Sequence, residues 1–546
     1  MKNILIFAFL LLHFSGFSQS KKMVYSAEQQ YVDEEKYPGA TVLIGKVKMI
    51  HEGAVLTCKQ ALYYQKQNFF KALENVVIKQ GDTITQTSDY LDYDANSKQI
   101  LSWGNVILKD PEMILTTDTL QFDRLNQKLY YRSFATIKDQ TNTLNSKNGN
   151  YYLETKKFTA TTKVTLVNPE HNLVSNHLDY YTNSGIAYLY GPSTITNTQN
   201  ENRIYCERGF YNTKTDISYF VKNAKLYLKE RTVEGDSLYY DKKKGFASAT
   251  NNIQVIDTLN NLVTRGNYAE IFEEKDSLFI IKKAVAISIV EKDSTFIHGD
   301  TLLVTGVPEK RIVRTYHNVK IFKSDLQGKC DSIYTNQESG ITKMFIDPIL
   351  WSDGNQITGD IIHLISNVAT EKLDSLKVLN NAFIVSKDSV SKDDFNQIKG
   401  RNMFGKFKKN KLDLLLVKGN AESIYYNRNE ETDSIETITK EISSNIEFTL
   451  VEGQINTIKY LKTSEGTTHP PSMFTTDSRK LQGFVWRASE QPKTKEDIFK
   501  KDKSSVKTEK KRNNKKVPKR ENNSIIKSLI NFDPEKKMKK NSSNIK

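Results

Sequence analysis

Apolar and polar positions alternate through most of the chain, in a phrase that returns about every 30 residues. The phrase has a small residue, a polar residue and then two apolar residues spaced by two. Successive polar positions are 29, 29, 29, 31, 29, 31, 33, 31 and 29 residues apart. They are Asp89, Asp118, Lys147, Asn176, Glu207, Asp236, Asn267, Asp300, Asp331 and Asp360. A fixed period over so many copies is typical of stacked repeats, which bury their apolar faces against their neighbours.

A second phrase follows the first after about 15 residues and consists of Asn or Gly before alternating apolar residues. Copies are ENVVI at Glu74, GNVIL at Gly104, KNAKL at Lys222, NNIQV at Asn251, HNVKI at His317 and NNAFI at Asn380. Asn tolerates the left-handed backbone of a turn, and the alternation has the period of a half-buried strand. The two phrases predict an all-β fold, an elongated stack of antiparallel strands with two short strands per repeat.

The two apolar positions of the first phrase point to the same side of a strand, so stacked copies form apolar ladders. Such a ladder predicts either a filled core between two sheets or an open apolar groove, and the sequence leaves both possibilities open. In the second case the following residues are the candidate lipid-lining positions: Leu91, Tyr93, Leu120, Phe122, Leu178, Tyr180, Leu238, Tyr240, Leu302, Val304, Ile362 and Leu364.

The chain divides into five segments by composition and repeat. Residues 1–20 have a basic start, a short apolar run and small residues, which predict a secretory signal peptide and an exported protein. Residues 21–200 and 201–399 are predicted as two sections of one repeat body. Residues 400–487 are predicted as a divergent terminal β section that the chain leaves around Gly483 to Trp486. Residues 488–546 are predicted to be a disordered basic tail.

The net charge of +15 is concentrated in this tail. From Gln491 to Lys546 there are 19 Lys or Arg against 7 Asp or Glu, which leaves 60 against 57 for the rest of the chain (79 − 19 and 64 − 7). Behind a signal peptide, the polyanions available are lipid phosphates, anionic saccharides or cell-wall polymer, and no nucleic acid is expected. A solvated tail without a specific partner is the alternative.

No motif in the chain indicates catalysis. There is no GxSxG, HExxH, P-loop or paired CxxC, and the histidines are scattered without metal-ligand spacing. Lys147 and Asn176 replace the repeated carboxylates, which favours a turn-forming role over a calcium ladder or acid–base pairs. Cys58, Cys206 and Cys330 occupy the small slot of the repeat and are predicted to be buried thiols. We therefore expect no enzyme activity, metal or cofactor.

The GDxLxYD and GNVxL phrases of an exported chain, strongest from Asn75 to Asp123, resemble the OstA/LptA-like organic-solvent-tolerance family. The resemblance covers about residues 23 to 365. It implies a periplasmic β-jellyroll with an apolar interior for lipid acyl chains, and end-to-end strand pairing with other jellyroll components. The chain is longer than one such module and adds the basic tail.

The resemblance implies a non-enzymatic periplasmic protein that conveys lipopolysaccharide or a related glycolipid toward the outer membrane. The expected partners are that lipid, jellyroll components of the export bridge and, through the tail, an anionic envelope surface; association with the outer or inner membrane is compatible with this. Two alternatives stay open: an exported β-solenoid for adhesion or scaffolding and, with less support, a polysaccharide-active β-helix enzyme.

Overall fold

The computed structural model describes residues 23–501 except 201, 229–230, 260, 291–292, 308–309, 371, 389–390, 392, 409–410, 430, 452–453 and 476. The predicted signal peptide at residues 1–20 lies outside the described residues, as do residues 502–546 of the predicted tail. Residues up to Ile498 form one compact unit. In the described part of the chain, no helix is long and apolar enough to cross a membrane.

In the described residues, thirty-three strands form one antiparallel sheet, and nearly every strand pairs with the next in the chain. The strands are β1 Val24–Ser26, β2 Gln29–Val32, β3 Thr41–His51, β4 Ala54–Tyr64, β5 Phe69–Gln80, β6 Ile84–Asp94, β7 Gln99–Asp110, β8 Met113–Asp123, β9 Lys128–Tyr131, β10 Ala135–Lys138, β11 Thr143–Ser146, β12 Asn148–Tyr152, β13 Lys157–Val167, β14 His171–Tyr181, β15 Ile186–Asn197, β16 Arg203–Asn212, β17 Ile217–Tyr227, β18 Arg231–Asp241, β19 Phe246–Asp257, β20 Leu262–Phe272, β21 Ser277–Val290, β22 Asp293–Thr305, β23 Ile312–Phe322, β24 Gln327–Asn336, β25 Ile341–Phe345, β26 Ile349–Ser352, β27 Asn355–Thr358, β28 Ile361–Ser366, β29 Leu373–Lys387, β30 Phe395–Lys408, β31 Lys411–Arg428, β32 Ile435–Val451 and β33 Gln454–His469. Short 3-10 helices lie at Gln65–Gln67, Lys242–Lys244, Glu273–Lys275, Pro471–Met473, Ala488–Glu490 and Asp497–Phe499.

The sheet is bent along its length, at a corner near the middle of each long strand. Between β6 and β7 the register shifts between Thr87, which pairs with Ile107, and Tyr90, which pairs with Trp103. Here Gly104 and Asn105 have φ of 76° and 51°, the left-handed conformation that Gly and Asn adopt most easily. Such a bulge bends a strand, so its two halves belong to two walls that face each other.

The two predicted phrases meet at this corner. The Asn of the second phrase donates a side-chain hydrogen bond to the carboxylate of the first phrase on the adjacent strand. These pairs are Asn105 to Asp89 (2.8 Å), Asn223 to Glu207 (2.7 Å), Asn252 to Asp236 (3.0 Å), Asn318 to Asp300 (2.6 Å) and Asn381 to Asp360 (3.1 Å). The repeated carboxylates therefore fasten the bend from the adjacent strand, while the Asn of the second phrase adopts the left-handed turn conformation, so the predicted turn-forming role of the carboxylates is wrong.

The turns between strands lie in two rows, which are the free margins of the two walls. Rim A comprises turns such as 124–127, 153–156, 182–185, 213–216 and 242–245. Rim B comprises turns such as 52–53, 111–112, 139–142, 168–170 and 198–202. We call the adjoining halves of the strands wall A and wall B.

Apolar side chains of both walls fill the space between them. One core cluster runs from Leu43 to Val304 and a second from Val319 to Phe448. The sheet crosses residue 200 without a break, because β15 pairs with β16 from Ile186 to Thr196, so the predicted division at 200/201 is not a structural boundary. The three thiols are free and buried, as predicted, and burial raises the pKa of Cys58 to about 11.

The C-terminal prediction is wrong in two respects. The sheet ends at His469, before Pro470 and Pro471, so the chain does not leave it at Gly483 to Trp486. Residues 470–498, which we call the strap, then pack on the outer face of wall B, and the ordered residues therefore include 488–498. Leu481 packs with Phe383 and Val385 of β29, and Ile498 with Val285 and Ile287 of β21.

Candidate functional site

The interior of the first half of the body is filled by aromatic side chains. Tyr93, Phe122, Tyr131, Tyr151 and Tyr180 are at most 2% exposed. Each tyrosine hydroxyl has a polar partner; Tyr180 donates to Asp139 Oδ2 at 2.6 Å, for example. These rings supply large buried area while their polar ends are satisfied, so this part is a closed core.

All but two of the predicted lipid-lining positions lie in filled core. These are Leu91, Tyr93, Leu120, Phe122, Leu178, Tyr180, Leu302, Val304, Ile362 and Leu364, each 9% exposed or less. The other two, Leu238 and Tyr240, border a gap between the walls. The predicted inward direction is therefore confirmed by burial, whereas contact with lipid stays a prediction.

This gap is a cavity of about 90 Å³ between strands β14 to β18, with a smaller one of about 20 Å³ extending to β20. Ile204 and Leu226 of wall B and Phe220 of wall A form its apolar lining. Tyr240 crosses from the apolar lining to the rim and is partly exposed, and its hydroxyl donates to Glu273 at 3.5 Å. The cavity is thus apolar inside and polar at its edge.

Small inward side chains explain the smaller of the two cavities. Ala247, Ala249 and Ala269 occupy the inner face of wall A in β19 and β20 and line the smaller cavity. Across from them, Ile204 and Leu226 are only partly buried. In the filled half, the rings of Tyr151 and Phe158 stack with their centroids 4.1 Å apart. In β19 and β20, by contrast, the alanines leave space between the walls.

A polar cluster stands at the edge of the cavity and joins the two rims. His171 follows the rim B turn, and its Nδ1 lies 3.0 Å from the hydroxyl of Tyr211 on wall A. Tyr211 also donates to Asp216 at 3.2 Å, and Lys242 of rim A pairs with Glu170 of rim B. Both rims therefore contribute to one network.

Burial and charge shift the titration of this cluster. Burial, with the nearby charge of Lys242, lowers the pKa of His171, so the imidazole is neutral at pH 7. The hydrogen bond from Lys242 lowers the pKa of Glu170. The possible metal-ligand atoms of Glu170, His171 and Asp216 lie within 4.8 Å of one another. Each of the three side chains already has a hydrogen bond, Glu170 with Lys242 and the other two with Tyr211.

Sequence reasoning missed much of this site. It treated the histidines as scattered, whereas the fold places His171 beside Glu170, Asp216 and Tyr211. It also did not identify Ile204, Phe220 and Leu226 as lining residues. Leu226 could have been identified from the sequence, since it is an alternating apolar position of the phrase KNAKL. The rim cluster could not, because it joins Glu170 and Lys242, which are 72 residues apart.

The beginning of the chain matches a known family. Residues 19–176 and 161–236 match the family model described as "OstA-like protein". No curated protein matches the chain.

Two solved structures are similar to parts of the chain. The crystal structure of LptH, "the LptA homologous periplasmic component of the conserved lipopolysaccharide transport device from Pseudomonas aeruginosa", matches with 12% identity over 27% of this chain and 99% of that chain, at a TM-score of 0.21. The WD40 domain of SCAP from fission yeast matches with 8% identity over 69% of this chain and 85% of that chain, at a TM-score of 0.09.

Proposed function

We propose that this protein, whose residues 19–236 belong to the OstA-like family, binds the acyl chains of lipopolysaccharide or a related glycolipid between its walls and conveys that lipid toward the outer membrane without chemistry. The match to the OstA-like model over residues 19–236 supports the broader proposal that the chain is a periplasmic protein of the lipopolysaccharide-transport type. Family members are non-enzymatic transport proteins. The particular lipid, its place in the fold and its route are the proposal.

The observation that carries the proposal is the cavity between β14 and β20. Its inner lining is Ile204, Phe220, Leu226 and the alanines of β19 and β20, while Lys242 and Glu273 stand at its edge. An amphiphile with apolar chains and a charged, sugar-bearing head matches this division. Burial of the chains supplies about 25 cal/mol per Å² of apolar surface, and the head stays at the hydrated rim.

The size of the cavity requires the walls to move when lipid binds. Small-molecule pockets usually measure about 300–1,000 Å³, whereas this cavity holds about 90 Å³. The partly buried side chains of Ile204, Leu226 and Ile271 can be displaced at lower cost than the fully buried rings of the first half. Lipid is therefore proposed to occupy the β14 to β20 region first.

Strand pairing at the two ends of the sheet is proposed to connect this protein to other jellyroll components. Among the described residues, β33 is hydrogen-bonded to β32, and β1 and β2 to β3, and we propose that the outer sides of these terminal strands accept a strand of another protein. β2 is exposed along its whole length. The N-terminal edge of the sheet therefore lies at β1 and β2.

Native mass spectrometry of the protein purified from its own envelope tests the function. We expect a mass increment of one glycolipid, and its loss in an Ala249→Phe variant that fills the cavity. Thr232→Phe, on the outer face of the adjacent strand β18, is the matched control and should retain the lipid. Lipid-free protein from every preparation would contradict the proposal and favour the scaffold alternative.

A further inference from the structure

Polar contacts between the two rims close the interior of the first half of the body. Arg124 of rim A donates to the carbonyl oxygens of Glu52 at 3.2 Å and His51 at 3.4 Å on the rim B side. Lys156 pairs with Asp110 at 2.5 Å, and Thr182 donates to Glu112 at 3.1 Å. These contacts join turns that are far apart in sequence, so they hold one wall against the other.

The cavity lies between two further contacts of this kind. Lys242 with Glu170 borders it on the side of the filled half, and Arg311 with Asp257, at 3.1 Å, joins the rims farther along the chain. The rims between these two pairs are those of β15 to β20, where Ile204, Leu226 and Ile271 of the core are only partly buried. Between the two pairs, these inward side chains keep partial contact with solvent.

The rim-to-rim pairs differ in how readily they can open. Asp110 has a fully buried side chain, and Arg311 is 4% exposed, so separating these two pairs leaves the Asp110 carboxylate and the Arg311 guanidinium buried without their ionic partners. Lys242 and Glu170 are 35% and 47% exposed. Water can solvate both charges after separation, and salt screens their attraction, so this pair opens at the lowest cost.

We propose that Lys242 and Glu170 form a latch on a lateral loading port, through which the lipid enters between the rims at β15 to β20 instead of threading from an end of the sheet. This inference rests on the proposed function and adds the route of entry. The anionic head group of the lipid replaces Glu170 as the partner of Lys242, so the latch opens as the acyl chains enter. The neighbouring contact between Tyr211 and His171 closes the same margin from within.

Loading kinetics of the full chain test the latch, with two probes: fluorescently labelled lipopolysaccharide micelles and an uncharged fluorescent acyl probe. Glu170→Gln removes the latch but keeps Lys242, and should accelerate loading of both probes several-fold. Lys242→Gln also removes the latch but removes the cation, and should accelerate only the uncharged probe. Joining Glu170→Cys and Lys242→Cys with a bismaleimide should suppress loading of both.

The matched control is the pair of Lys225 and Glu234, whose exposed fractions of 37% and 32% are similar but which joins adjacent strands within wall B. Lys225→Gln and the equivalent cross-link should leave loading unchanged. Unaltered loading in the latch variants, with lipid still bound, would overturn the lateral port and leave the proposed function standing. No loading of either probe by any protein, including the parent, would overturn the proposed function and the port with it.

Discussion

The side chain of Gln397 holds the backbone of Leu481: its Oε1 accepts a hydrogen bond from Leu481 N at 2.8 Å, and its Nε2 donates to Arg479 O at 2.7 Å. Gln356 repeats the arrangement on Arg487 N and Val485 O. Both glutamines lie on the outer face of wall B and are 1% exposed. The strap is thus bound by the wall as a peptide is bound in a groove.

Gln397→Met should destabilise the protein, because it keeps the volume of the side chain but leaves two buried backbone groups unpaired. Each such group costs about 1–3 kcal/mol. Urea unfolding should show a lower midpoint, and Gln67→Met in the exposed 3-10 helix Gln65–Gln67 should not. Equal midpoints would mean that the strap does not depend on this contact.

Two truncations separate the strap from the rest of the C-terminal region. A chain that ends at Lys501 should fold like the parent, while one that ends at His469 loses Leu481 and Ile498, and burial of such a side chain contributes about 1.5–3 kcal/mol. It also exposes the apolar outer face around Phe395 and Trp351. Thermal melting should therefore distinguish the two chains, and identical melting would contradict the role of the strap.

The chain ending at Lys501 also tests the predicted attachment to anionic surfaces. Residues 502–546 carry 15 Lys or Arg against 5 Asp or Glu, and near an anionic membrane each basic residue contributes about 1 kcal/mol. The fraction of protein that sediments with anionic vesicles at low salt should be smaller for the truncated chain than for the full chain. Added salt should weaken the binding of the full chain. Equal sedimentation of both chains would indicate a tail without this partner.

Much of the fold follows from short sequence patterns, whereas the strap and cavity do not. The inward ladder and the corner phrases are local periodicities, so Leu91 and Asn105 were placed correctly. The strap uses widely spaced anchors such as Leu481 and Ile498 within a polar segment. Its one signal is the unbroken apolar run Ala382–Val385, which predicts a strand covered on both faces. The cavity depends on side-chain volumes of walls that meet only in the fold.

The corner predicts a difference between two substitutions of Asn105. Asn105→Gly keeps access to φ of 51°, and Asn105→Ala does not; a left-handed residue other than Gly costs roughly 1–2 kcal/mol. Both lose the hydrogen bond to Asp89, so the alanine variant should have the lower unfolding free energy. Chemical denaturation of both variants measures the difference, and a more stable alanine variant would contradict this account of the corner.

The free energy of unfolding should decrease as the pH is lowered from about 7 to about 5, the range in which a histidine of the unfolded chain gains a proton. Burial lowers the folded-state pKa of His171, His298 and His363, so the unfolded chain binds more protons in this range and acid favours unfolding. Melting temperatures across the range should show the decrease. His171→Gln should reduce the slope, and an unchanged slope would place the titration at other groups.

Site-specific photo-crosslinking in cells tests whether lipid binds between the walls. A photoreactive residue at Leu226 points into the cavity, its neighbour Tyr227 points away from it, and Phe158 lies in the filled half. We expect glycolipid adducts at Leu226, few or none at Tyr227, and fewer at Phe158 than at Leu226. Equal labelling at Leu226 and Tyr227, or none at Leu226 in a folded protein, would contradict the binding of lipid between the walls.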